Sequence, residues 1–472
     1  MAETIRLLND LLWGSILVYI LVGVGVFFTV KLGFIQFRHF THTFKVLRNS
    51  RTVEGSGISS FQALCTSLAA RVGTGNMAGV AIALTVGGPG AIFWMWLIGM
   101  LGMATSFAES TLAQLYKTRD DDGNFRGGPA YYMEKGLGMR WLGALFSVFL
   151  IITFGLVFNA VQANAIASAM ETAFGWDSMY VGIFVVILSA FVIFGGIRKV
   201  ARTAEIVVPL MALAYLALAA VVVVLNVDKV PGALFLIVKS AFGVQEAVAG
   251  GVGYSISQAV INGVERGLFS NEAGMGSAPN AAATATPYPP HPASQGYVQM
   301  LGVFLDTIVI CTATVAIILV SGEYELHGSI TGIELTQKAL SSQVGEWGSS
   351  FIAIAIFLFA FTSIIANYSY AETNLTFLEH NHKTSSMVLR VLVLCMVMYG
   401  SIEALPTIWA LASVSMGMMS IVNLMAIMLL SGIVIKLAKD YNRQLIMGRV
   451  PKFKPNEFPE LMAQLEKDVW DD

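Results

Sequence analysis

About eleven stretches of this sequence run for roughly twenty residues each with almost no charged side chain, and that feature leaves few folds open. They lie near 11–33, 60–85, 90–116, 141–173, 179–196, 203–226, 245–268, 298–320, 348–372, 387–402 and 406–437. Such a run matches the thickness of a bilayer's hydrocarbon, where a backbone must satisfy its own polar groups, so each is predicted to be helical. The expected fold class is all-α and polytopic. Composition agrees: with 56% hydrophobic residues, 12% charged residues and a mean hydropathy of +0.70, a water-soluble chain could not cover its apolar surface. The 45 glycines, costly in soluble helices, are tolerated in membrane helices that pack closely or break. The first run, Leu11 to Val30, reads as a spanning helix rather than a leader. It is too long for a signal h-region, it follows Asp10 rather than a basic segment, and no small-residue cleavage site precedes Lys31.

Charge placement predicts orientation. Lys31, Arg38, Lys45, Arg48 and Arg51 follow the first run, Arg198, Lys199 and Arg202 follow the fifth, and Lys436, Lys439, Arg443, Arg449, Lys452 and Lys454 lie in the tail. These segments are expected to be cytoplasmic, which puts the N-terminus outside and the C-terminus inside. The opposite connections, Gly87 to Gly90, Glu171 to Ser178, Ser321 to Trp347 and Gly400 to Thr407, each hold at most one Lys or Arg. Lys229 to Gly243 and Ser329 to Gly345 are too short or too polar to span and are expected as surface helices on the outer face, covering a vestibule. The Pro-rich run Pro287 to Pro292 reads as a rigid connector, with His291 a loop residue. A net charge of −2 argues against a nucleic-acid partner. Cys65, Cys311 and Cys395, odd in number and far apart, read as buried small hydrophobes, with no zinc site or redox chemistry expected.

Two runs are interrupted. The second contains Gly73-Thr74-Gly75-Asn76 in mid-membrane, and the seventh contains Ala249-Gly250-Gly251-Val252-Gly253-Tyr254-Ser255. Irregular backbone at that depth is tolerated where it lines a cavity or is buried in protein. A broken helix exposes N–H groups on one half and carbonyls on the other, which suits a carboxylate beside a cation; the alternative is a close helix crossing through the glycines. Counted from the second run, the two interruptions occupy equivalent places in a five-plus-five division, 60–226 and 245–437, although internal sequence identity is weak.

The run Gly87-Gly88-Pro89-Gly90-Ala91-Ile92-Phe93-Trp94-Met95-Trp96-Leu97, followed by Gly102, resembles the signature of the alanine/glycine:cation symporter family, with Gly99 where that family usually has Ser, Thr, Ala or Val. Gly73 to Asn76, Gly127-Gly128-Pro129-Ala130-Tyr131-Tyr132 and Arg266 to Pro279 resemble other stretches of it, over nearly the whole chain. The resemblance implies a single transporter domain over 1–472 with the leucine-transporter-like inverted repeat, an extra N-terminal helix at 11–33 and a cytoplasmic tail at 438–472. The implied function is sodium-coupled symport of alanine or glycine across a bacterial inner membrane by alternating access, with sodium as coupling ion, no organic cofactor and no obligatory protein partner. Proton coupling, or another neutral amino acid such as glutamine, is the alternative.

By the same resemblance the amides of Thr74 and Gly75 would receive a substrate carboxylate, and the Asn76 side chain would face cation or substrate. The carbonyls of Ala69 and Val72 would face sodium, completed by the hydroxyls of Thr362 and Ser363. Those hydroxyls could instead bond back to the preceding helical turn. Asn159 and Gln162 share a helix face, unlike Asn164, and either could accept from a substrate ammonium or make an interhelical bond. Gly253 and Ser255 belong to the second interruption and are expected at the substrate. Asn367 stands where many family members carry Trp, which puts that pocket wall in doubt. Among Arg71, Glu109, Glu205, Asp306 and Glu372, Asp306 is the one plausible proton site, and Arg71 is expected to face the cytoplasmic vestibule. Trp94 and Trp96 read as interface anchors or packing.

Two other function classes fit less well. A channel should repeat a carbonyl filter or a ring of like charge, and neither is found. An enzyme or ATP-driven pump needs a catalytic motif. The chain carries no His-Glu-x-x-His, Gly-x-Ser-x-Gly or Walker loop, and its six His are scattered.

Overall fold

The computed structural model describes residues 2–50, 57–120, 123–243, 252–379, 383–467 and 469–470. Nearly all of the described chain is helical, with two short strand pairs, Ile58–Ser59 against Ala285–Thr286 and Thr118–Arg119 against Phe125–Arg126. Helix α1 is Leu7–Lys31. A second passage follows in two pieces, α2 (Ser60–Arg71) and α3 (Gly75–Gly87), the latter opening with a π-helical turn. Ser59 and Gln62 start α2 as a reciprocal capping box, each side chain bonding the other's backbone N–H. Then come α4 (Gly90–Leu115), α5 (Arg140–Phe174), α6 (Ser178–Ile193), α7 (Gly196–Leu225) and the short α8 (Val230–Ala241). The second half holds α9 (Val252–Asn271), α10 (Pro292–Ser321), α11 (Gly332–Val344), α12 (Trp347–Leu378), α13 (Lys383–Ile402), α14 (Leu405–Leu429) and α15 (Ser431–Ile446). Eight of the helical stretches among the described residues are long and apolar enough to cross a membrane.

Burial sorts the helices into a polar heart and a lipid-facing rind. Helices α2, α3 and the middle of α12 are almost wholly buried, whereas α6 and α7 expose Phe184, Ile187, Phe191, Leu210 and Leu213. Helix α4 reaches its neighbours through glycine: a Cβ at Gly99 would lie 2.9 Å from Thr307, and one on α9 at Gly263 would lie 2.3 Å from the Ala91 carbonyl. Small residues let membrane helices approach until dispersion and polar contacts hold them, because lipid supplies no hydrophobic drive between helices.

Three expectations need correction. The last predicted span, 406–437, is two helices: the chain bends at Leu430 and restarts as α15, which buries Val434, Leu437 and Tyr441 but carries Lys436, Lys439 and Arg443. Hydropathy alone joined an amphipathic helix to a spanning one. Helix α11 exposes Glu334, Lys338 and Ser342 along one face, while its other face is deeply seated. It buries Ile333, Leu335, Thr336 and Leu340 and bears directly on the broken passage, where Thr336 Oγ1 donates to the Met77 carbonyl at 3.3 Å. Cys395 is exposed, unlike Cys65 and Cys311. His291 is buried, and its Nδ1 caps α10 by accepting from Ala293 N at 3.1 Å, with Nε2 3.4 Å from Asp440. Burial holds this imidazole below its ordinary pKa against the pull of Asp440. At that end the tail folds back on the bundle, Phe453 N donating to Pro290 O at 2.9 Å and Trp470 Nε1 to Leu115 O at 3.2 Å.

Candidate functional site

Helix α2 stops because Val72 turns to an extended conformation (φ −80, ψ 92), which swings its carbonyl out of the helical direction. The amides that follow are not left bare. Gly73 N–H donates to Asn76 Oδ1 at 2.9 Å, and Thr74 N–H donates to Gln162 Oε1 on α5 at 3.1 Å. The Thr74 hydroxyl is buried and has no partner among the described residues. Gly73 has no room for a side chain: a Cβ would stand 2.6 Å from Ser363 Oγ and 2.7 Å from Gln162 Oε1. A Cβ at Gly75 would lie 3.0 Å from Ser270 and 3.1 Å from Phe269 of α9.

The carbonyl side of the break meets α12. Ser363 Oγ donates to the Ala69 carbonyl at 2.7 Å and also reaches Phe359 O at 3.0 Å, while Thr362 Oγ1 donates to Phe359 O at 2.9 Å. The structure therefore joins Ser363 to the break and turns the Thr362 hydroxyl back on its own helix. Ser363 Oγ and the Ala69 carbonyl thus meet as uncharged oxygens, the kind of donor a hard cation takes.

Gln162 and Asn159 part company. Gln162 serves the break, whereas Asn159 bonds Gly155 O and accepts from Asn367 Nδ2 at 3.1 Å. Asn164 ties α5 to the carbonyls of Gly400 and Glu403. Gly253 and Ser255 lie in the first turns of α9, and the Ala249 to Gly251 part of the second interruption lies outside the described residues.

Asp306 is wholly buried in a π-helical stretch of α10, Phe304–Cys311. Asn76 Nδ2 donates to Asp306 Oδ1 at 2.7 Å, and the hydroxyls of Ser270 and Thr307 donate to Oδ2 at 2.8 and 2.9 Å. Asn76 thus spans the two clusters, its oxygen on Gly73 and its nitrogen on Asp306. Arg71 is buried rather than facing a vestibule, donating to Gln299 O at 3.2 Å and Ser106 Oγ at 3.4 Å.

Sequence reasoning missed Ser270 and an aromatic wall. Phe158, Phe269 and Trp409 stand in series with ring centroids 4.6 Å apart, beside Gly75 and Gly79, and the Arg266 guanidinium lies 4.6 Å over Trp409. Ser270 and Phe269 sit inside the Arg266 to Pro279 stretch noted above, but nothing local marks Phe158 or Trp409.

The chain resembles known transporters throughout its length. It is 48% identical to the amino-acid carrier protein AlsT of Bacillus subtilis over 99% of this chain and 97% of that protein. It is 50% identical to the probable sodium/glutamine symporter GlnT of the same organism, over 94% and 91% of the respective chains. In fold it is similar to MhsT, whose crystal structure is in complex with L-phenylalanine, with a TM-score of 0.54 at 13% identity, covering 89% of this chain and 95% of that one. The two relatives named are a carrier and a probable symporter, transporters rather than enzymes. The model of one family matches residues 1–455, so the chain belongs to the sodium:alanine symporter family.

Proposed function

We propose that this protein couples the inward movement of sodium to that of a small neutral amino acid, alanine or glycine, by alternating access in the bacterial inner membrane. The N-terminus lies outside and the C-terminus inside. The observation that carries this reading is the break at Val72 to Asn76, where Gln162 Oε1 holds the Thr74 amide and Ser363 Oγ holds the Ala69 carbonyl. Both contacts are exchangeable. A substrate carboxylate would take the amides of Thr74 and Gly75 in place of Gln162, helped by the half-helix dipole, roughly +0.5 elementary charge. The displaced Gln162 oxygen could then accept from the substrate ammonium. Sodium would be carried between the carbonyls of Ala69 and Val72 and the Ser363 hydroxyl, with Thr362 joining once it leaves Phe359. Asn76 links that event to Asp306 and Ser270, and Gly253 and Ser255 on the same helix α9 complete the proposed substrate set.

The aromatic wall of Phe269 and Trp409, 3.1 and 3.6 Å from Cβ positions at Gly75 and Gly79, supports a short side chain over glutamine. A second reading is proton coupling through Asp306, favoured by its burial and its bond to Asn76. Uptake of labelled alanine into proteoliposomes separates the two. A sodium gradient should drive accumulation at uniform pH, and a pH gradient without sodium should not. Alaninamide should fail to compete, since it offers no carboxylate. Sodium-independent uptake, or competition by alaninamide equal to that of alanine, overturns the proposal.

A further inference from the structure

Away from the broken helix, a cavity of about 440 Å³ opens between the end of α1 and one face of α15. Lys31, Arg38, Lys439 and Arg443 line it together with Asn442, and among the described residues no Asp or Glu does. Four cations around one cavity repel one another unless an anion shares it. Arg443 is already committed to Asp440 and Glu457 at 2.5 and 3.1 Å. Among the described residues Arg38 hydrogen-bonds the Gly33 carbonyl, at 3.4 Å, and has no carboxylate partner, nor does Lys31 or Lys439. Three positive charges therefore face the cavity uncompensated.

The surroundings indicate where the anion comes from. Lys31 is the last residue of an apolar spanning helix, so the cavity lies at the depth where hydrocarbon gives way to head groups. Two of the lining residues, Ile446 and Met447, are large, apolar and exposed, Ile446 to 84%, and Phe34 and Phe37, exposed as well, adjoin the lining residues Gly33 and Arg38 in sequence. A soluble anion gains nothing from such side chains, whereas a phospholipid lays its chains along them.

We propose that this pocket binds a phosphate group, presented as the head group of an anionic phospholipid whose acyl chains lie along Phe37 and Ile446. Clusters of Lys and Arg at a membrane interface attract anionic lipid through the same surface electrostatics. The bound phosphate would tie the N-terminal helix to α15, two elements otherwise distant in sequence.

The test uses the full-length protein purified in detergent, followed by native mass spectrometry and thermal unfolding. Phosphatidylglycerol should stay bound and raise Tm, and phosphatidylcholine should do neither. The triple variant Lys31→Gln, Arg38→Gln, Lys439→Gln should lose at least about tenfold in lipid retention, as well as the Tm shift. The double variant Lys31→Arg, Lys439→Arg should retain both, as should Lys338→Gln, which removes an exposed cation paired with Glu323 elsewhere. Equal retention by wild type and the triple variant, or equal shifts with both lipids, overturns the proposal. A Tm shift from inorganic phosphate matching that from phosphatidylglycerol would overturn the lipid as source. If the triple variant does not fold, the Lys-to-Arg variant and the two-lipid comparison on wild type still decide it.

Discussion

Two helical passages meet at the centre of this protein, and both are rich in polar residues, yet only one breaks. Helix α12 carries Thr362, Ser363, Asn367, Ser369, Thr373 and Asn374 and continues unbroken from Trp347 to Leu378. The passage from Ser60 to Gly87 carries Thr74 and Asn76 and is interrupted between Arg71 and Gly75. Most of the α12 groups spend their hydrogen bonds on their own helix: Thr362 on Phe359 O, Ser369 on Ala366 O, Thr373 on Ser369 O and Asn374 on Tyr370 O. Back-bonding of this kind satisfies a hydroxyl without opening the ladder. At the break the backbone itself lacks partners, and other elements supply them, through Gln162, Asn76 and Ser363. Polarity in a membrane helix therefore does not mark a site. Backbone groups satisfied from outside the helix do.

The largest expected effect tests this contrast at its tightest point. Gly73→Ala would push a Cβ against both Ser363 Oγ and Gln162 Oε1. Overpacking of this kind costs about 1–3 kcal/mol, and alanine uptake should fall by up to about a hundredfold, with insertion retained. Normal uptake by this variant would mean that the break plays no part in transport.

Next comes Gln162→Glu, which presents a permanent carboxylate to the Thr74 amide and so competes with the substrate's own. Apparent alanine affinity should drop by roughly ten- to a hundredfold, the equivalent of about 1.4–2.7 kcal/mol. An unchanged KM would show that the substrate carboxylate goes elsewhere.

Ser363→Ala removes the bond to the Ala69 carbonyl and a proposed sodium ligand together. Leaving a buried acceptor unpaired costs about 1–3 kcal/mol, so half-saturating sodium should rise about tenfold with alanine affinity at saturating sodium little changed. Thr362→Ala should raise it less, since that hydroxyl now serves its own helix. If the order is reversed, the sodium path runs through Thr362.

The smallest effect is expected from Ser369→Ala, where only a back-bond to Ala366 is lost. Hydrogen bonds within membrane proteins average about 0.6 kcal/mol, so sodium and alanine titrations should move by less than about threefold. A larger loss would place α12 as a whole, rather than its contact with the break, at the centre of coupling.

The break was readable because glycines flank an amide in mid-span, a purely local pattern at Gly73 to Asn76. The choice between Asn159 and Gln162 was not, because both are buried amides on one face of α5. Only the packing of α12 against α5 gives Asn159 to Asn367 and leaves Gln162 for the break. Arg71 misled for a related reason. A charge next to an interruption suggests an aqueous vestibule, but here Gln299 O and Ser106 Oγ, from α10 and α4, receive it. The aromatic wall joins Phe158, Phe269 and Trp409 from three helices, and no window of sequence contains more than one of them.

By itself the sequence determined the solvent, the helical class, the order of the apolar runs and the position of the first break. Each follows from a property summed over about twenty neighbouring residues or from a glycine pattern within four. The tertiary structure alone decided who completes the break, because those partners stand 88 and 294 positions away and are selected by helix packing, not by local composition. It also decided that α15 is a separate amphipathic helix, beside which four cations gather around one cavity.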